Sequence, residues 1–192
     1  MRHTAAFLLS AAWLAGVSAL PAMAAGDGHR QHQHAHQHQH GQGGASPYAG
    51  LQQREIKALS REEIAGLQQG AGLGMALPAE LNGYPGPRHV LELQHELALT
   101  PGQLAAVETA FAEMAASAQV LGEQLIAAER TLDRLFAHGK ATVGAVESAS
   151  AGAAALRGRL RATHLRYHLE MVEVLTPSQV ATYNRLRGYG AH

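Results

Sequence analysis

Leu104, Val107, Phe111, Met114, Ala118, Leu121, Leu125, Ala128, Leu132 and Leu135 follow one another in steps of three and four that alternate without a break. A strand cannot present that spacing on one face, whereas a helix lines all of these residues along a single stripe. The pattern predicts a helix from Pro101 to about His138, ended by Gly139, and roughly 55 Å long at about 1.5 Å of rise per residue. Such a seam needs a partner. Thr142 to Val174 offers one after a turn at His138-Gly139-Lys140, with Val146, Ala149, Ala153, Leu156, Leu160, Thr163, Tyr167 and Val174 as its facing residues. Gly144, Gly152 and Gly158 weaken this second helix by up to about 1 kcal/mol each relative to alanine, while permitting close approach of a neighbouring backbone or curvature.

Both ends of the pair carry the same five-residue pattern, Leu99-Thr100-Pro101-Gly102-Gln103 and Leu175-Thr176-Pro177-Ser178-Gln179. Thr at the N-cap accepts from an unpaired amide of the first turn, Pro at the next position loses no hydrogen bond, and Gln at the third can reach back to the cap amide. The second copy opens a last helix over Val180, Tyr183 and Leu186, released at Gly188 and Gly190. Upstream, Ser60-Arg61-Glu62-Glu63 is a further capping box, opening a helix over Ile64 and Leu67 that Gly70 ends; Leu73 to Leu81 is a second short piece, and Pro87 starts a third carrying Val90, Leu91, Leu93 and Leu97. Alanine abounds, β-branched residues are few and only 5% of the 192 residues are aromatic, so the fold class is all-α. The expected architecture is a long antiparallel helical hairpin with short flanking helices over residues 48–192.

Met1 to Ala24 reads as a secretory signal: Arg2 and His3, an apolar run from Ala5 to Leu20, and Ala22-Met23-Ala24 as a small-x-small cleavage site. Cleavage after Ala24 and export to the periplasm are expected. Residues 25–47 are expected to be a disordered His/Gln-rich tract and linker, with His29, His32, His34, His36, His38 and His40 among polar neighbours that cannot build a core. Imidazoles on a pliable chain can gather on one Cu, Ni or Zn ion, and the alternative reading is a solvated spacer. Cleavage after Gly26 instead would free Asp27-Gly28-His29, which can chelate Cu(II) or Ni(II) in a plane.

In the second long helix His164, His168 and Met171 follow i, i+4, i+7. Two imidazoles one turn apart make a half-site for a divalent metal, with a thioether for copper; a partly exposed His pair beside a core Met has the same spacing. Arg157, Arg159, Arg161 and Arg166 crowd this helix and, with Leu165, Tyr167 and Leu169, make either a solvated face or a binding surface. Absence of Cys removes thiolate sites, the balance of 15 basic against 15 acidic residues argues against nucleic-acid partners, and no nucleophile, phosphate-loop or paired-carboxylate motif indicates an enzyme.

The doubled Leu-Thr-x-x-Gln, once before a long helix and once near the end of a small exported helical chain, resembles the LTxxQ superfamily of periplasmic proteins that includes the Spy and CpxP chaperones and the ZraP and CnrX metal sensors. The resemblance covers roughly residues 88–190. It implies that Leu99, Thr100, Pro101, Gln103, Leu175, Thr176, Pro177 and Gln179 are structural motif residues, and that the arginine face forms part of a shallow cradle holding unfolded clients without ATP in envelope stress or metal tolerance. The sensor branch implies another set: His89 and His95 from the first short helix, Glu108 or Glu113 from the next, and His168 with Met171, which are three apart here and four apart in that family. Metal on His89, His95, His164, His168 or Met171 would then alter contact with a membrane-bound regulatory protein. A third expectation is a simple metal buffer, and a long hairpin with limited core suggests a homodimer.

Overall fold

A computed structural model of the chain describes residues 46–190. The segment read as a secretory signal, Met1 to Ala24, and the His29 to His40 tract lie outside them. Six α-helices and no strand occur among the described residues: α1 (Arg61–Gln68), α2 (Leu77–Glu80), α3 (Pro87–Glu92), α4 (Pro101–Ala137), α5 (Val143–Val174) and α6 (Pro177–Leu186). The all-α hairpin is thus found, with α4 packed along α5. No helix among the described residues is long and apolar enough to cross a membrane.

The helix ends sit where the caps place them. Ser60, Thr100 and Thr176 each accept from the backbone amide three residues on, and Glu63, Gln103 and Gln179 return a side-chain bond to the cap amide. Gly70, in the left-handed region at φ +69°, stops α1, and Gly139 at φ +65° turns the chain between α4 and α5. The piece expected over Leu73 to Leu81 shortens to α2, because its first two residues, Leu73 at φ +46° and Gly74 at φ +75°, hold left-handed backbone that an α-helix cannot include.

Two apolar clusters fill the hairpin. Nearer its tip, Leu121, Leu125 and Ile126 of α4 and Leu160 of α5 are capped by Ile56, Leu59 and Leu67. Nearer its base, Val107 and Met114 of α4 and Tyr167 and Met171 of α5 meet Val90 and Leu97 from the α3 segment and Tyr183 of α6. Each fully buried aliphatic or aromatic side chain stabilises by about 1.5–3 kcal/mol, so the flanking pieces hold by docking rather than by their own helicity.

The glycines divide differently from expectation. A Cβ on Gly144, Gly152 or Gly158 would meet open space, so none of them serves close approach. Gly122 on α4 does: a Cβ there would run into the Leu67 carbonyl oxygen, which is how the end of α1 can press on the long helix. Beyond Ala128 no short helix covers the hairpin; Leu132, Leu135, Val146 and Ala149 are only half-buried.

Candidate functional site

Two features of α5 could carry chemistry, one on its outside and one beneath it. On the outside, Arg161, Leu165, Leu169 and Val172 follow steps of four, four and three and therefore share a stripe. Leu169 is 57% exposed and Val172 37%. Val172 also lines a groove of about 920 Å³ between α5 and α6, continued by Leu175, Val180, Ala181 and Tyr189, with Arg185 among its walls. Arg161 and Arg185 make no ion pair in the described structure.

The other arginines are placed apart. Arg159 and Arg166 face a shallow depression with Leu121, Ala162 and Thr163, while Arg157 lies 3.7 Å from Glu129 across the hairpin. Tyr167, expected on the binding face, is instead 2% exposed in the core, because the α4 and α5 seam claims its ring. Its hydroxyl accepts from Arg166 at 2.8 Å, and that guanidinium lies 4.6 Å from the ring centroid.

Beneath α5 the central group is Glu80, a carboxylate alone among the apolar and glycine residues between Glu63 and Glu92 and 5% exposed. Its Oε1 accepts from Tyr183 Oη at 2.5 Å and Tyr189 Oη at 3.1 Å, and lies 3.2 Å from His89 Nδ1 and 3.6 Å from Arg187 Nε. Burial, then the bond and charge of Glu80, push the Tyr183 hydroxyl far up, so Tyr183 stays a donor. Oε2 of Glu80 is buried with no hydrogen-bond partner, as is Nε2 of His164. Burial, with a smaller push from His168, lowers the pKa of His164 and favours its neutral form. Glu80, His89, His164 and His168 all line one cavity of about 400 Å³, walled by the loop from Gly70 to Gly74 and by Phe111 and Met114.

The structure therefore gathers His89, His164 and His168, and adds Glu80, which the sequence reading left without a role. A lone acidic residue in a glycine-rich apolar stretch was the available signal. His95 lies past the end of α3 and is exposed, and Met171 is wholly buried in the base cluster. Glu108 is exposed, and Glu113 stands 3.5 Å from the Tyr167 hydroxyl. His168 Nδ1 is committed to the Tyr84 carbonyl at 2.8 Å. Among the described residues no three His, Asp or Glu side chains converge in a way that would hold a metal ion, so these side chains as arranged do not fit the sensor-type centre. The motif residues Thr100, Gln103, Thr176 and Gln179 are engaged in capping, and Leu99 and Leu175 pack in the base cluster. No protein-family model, curated protein or solved structure matches the chain.

Proposed function

We propose that this chain is an exported holding protein that binds unfolded segments of other proteins without ATP, in envelope stress or metal tolerance, while the His29 to His40 tract binds Cu, Ni or Zn ions. The observation that carries the reading is the outer stripe of α5. Arg161, Leu165, Leu169 and Val172 form one strip in which Leu165 is half-buried and Leu169 and Val172 are exposed, beside a guanidinium with no ion pair among the described residues, and the strip runs into the groove lined by Arg185.

Exposed apolar residues in such a row gain free energy when another apolar surface covers them. Apolar contact supplies weak adhesion of broad specificity, and the arginines favour acidic segments and speed encounter. Neither contact needs a nucleotide or a covalent step. The test is aggregation of a client unfolded by reduction, followed by light scattering in the absence of nucleotide. Protection at a few-fold excess of this chain supports the reading, and undiminished aggregation at that excess overturns it.

A further inference from the structure

We infer that Asn82 is a self-modifying site, at which the Gly83 backbone nitrogen attacks the Asn82 side chain, expels ammonia and leaves an aspartate or isoaspartate on the wall of the groove between α5 and α6. The reaction asks three things of a fold: an accessible side-chain amide, a following residue with no side chain to hinder attack, and a backbone N–H free to lose its proton. Asn82 is exposed and is followed by Gly83, which holds left-handed backbone at φ +85°. Gly70, Gly139 and Gly188 hold similar backbone after their helices, and each donates its N–H three residues back, to Leu67, Phe136 and Arg185 at 3.2, 3.1 and 3.2 Å. The Gly83 N–H, placed likewise after α2, donates to no group among the described residues, although Asn82 and Tyr84 on either side both donate to the Ala79 carbonyl, at 3.0 and 3.1 Å. One contact opposes the step. Asn82 Nδ2 donates to the Pro78 carbonyl at 2.8 Å and must let go before Cγ can reach the Gly83 nitrogen; a single exposed hydrogen bond slows this by about tenfold at most.

The Gly83 amide proton passes to hydroxide, the nitrogen bonds to Asn82 Cγ, and the bond from Cγ to Nδ2 breaks as ammonia leaves, closing a cyclic imide. Water then opens the ring at either carbonyl, so one water is consumed for each ammonia released. Both products put a carboxylate into the groove, whose walls include Asn82, Gly83 and Arg185. Isoaspartate also draws its Cβ into the main chain, lengthening the link from α2 to Pro85. That link sets the Tyr84 carbonyl 2.8 Å from His168 Nδ1. Asn184, the other asparagine of the chain, is the internal control: it lies within α6 and is followed by Arg185, whose side chain hinders attack and whose N–H belongs to the helical ladder.

The test is to hold the full chain in mildly alkaline buffer, native and unfolded in guanidinium, and to read each asparagine over time by tryptic digestion and fragmentation mass spectrometry. Residues 62–88 form the tryptic segment that carries Asn82. The native chain should gain aspartyl and isoaspartyl forms at position 82, within about tenfold of the unfolded rate, while Asn184 keeps its amide. Gly83→Ala, compared in the unfolded state where folding plays no part, should slow the change at least about tenfold by hindering the attacking nitrogen. Conversion in the unfolded chain with none in the native chain would show that the fold protects Asn82 and overturns the inference. So would equally fast conversion of Asn184 in the native chain, or aspartate without isoaspartate, which marks direct hydrolysis rather than ring closure.

Discussion

Gln103 and Gln179, the third helical residues of α4 and α6, pair side chain to side chain across the base of the hairpin. The amide nitrogen of Gln103 donates to Oε1 of Gln179 at 2.8 Å, and that of Gln179 donates to Oε1 of Gln103 at 3.0 Å. The second hydrogen of each amide reaches a carbonyl, that of Val174 at 2.9 Å and that of Leu97 at 3.1 Å, while each Oε1 also accepts from its own cap amide. Both glutamines thus use every donor and acceptor they have. The two copies of the five-residue motif are one joint, tying the start of α4 to the start of α6.

Only an amide can fill both roles, so Gln103→Glu should destabilise the fold by about 2 kcal/mol, because a carboxylate has no donor for Gln179 or for Val174. Thr100→Ala removes a single cap bond and should cost about 1 kcal/mol. Urea unfolding followed by helical circular dichroism measures both. A Gln103→Glu protein as stable as the parent would mean that the pairing contributes nothing.

Helix spans were legible in the sequence because each rests on local chemistry: the three-and-four seam, the Thr-Pro-x-Gln caps, and Gly70 and Gly139 as stops. What local pattern does not encode is which caps meet. The bond between Gln103 and Gln179 joins residues 76 apart, and nothing near either one announces the other. The same holds for Glu80, whose partners Tyr183 and Tyr189 come from beyond the far end of the hairpin. His164 and His168 were visible as a spaced pair, but their burial depends on the short helices docking over them. The glycines misled for a related reason: helical spacing does not say which face a neighbour will cover, and it is Gly122 that is covered.

Gly122→Ala should therefore be costly and Gly152→Ala beneficial. The first drives a methyl against the Leu67 carbonyl and should lose about 2 kcal/mol or more by overpacking. The second points into solvent within a helix and should gain up to about 1 kcal/mol from propensity alone. Paired denaturant titrations decide it, and equal effects at the two positions would contradict the packing of α1 on α4.

Acidification should weaken the fold through His164. Its pKa is lowered in the folded state, chiefly by burial, so between the ordinary imidazole value near 6.5 and the lower folded value the unfolded chain binds a proton that the native state does not. The His164 contribution to stability is therefore whole above about pH 6.5 and is lost as pH falls below it. Melting temperature should drop from about pH 7.5 to about pH 5, and His164→Leu should flatten that slope. An equal slope in the variant would assign the loss to other groups.

Removal of residues 25–44 should abolish binding of Cu(II), Ni(II) and Zn(II) while leaving the helical circular dichroism of the remaining chain unchanged. The tract carries the clustered imidazoles, and no convergent set exists among the described residues. Calorimetry on the two lengths checks it; a shortened chain that still binds one ion per molecule would move the metal site into the helical domain.

The outer stripe of α5 is the centre of the functional account, and its direct measurement is nucleotide-free protection of a reduced client by three folded variants compared with the parent. Leu169→Glu and Arg161→Glu alter the stripe, whereas Arg159→Glu makes the same charge change on another face of the same helix. The account predicts that the first two lose most of the protection and the third keeps it, with melting temperatures close to the parent in all three. Equal protection by all four proteins, or a loss confined to Arg159→Glu, would contradict it.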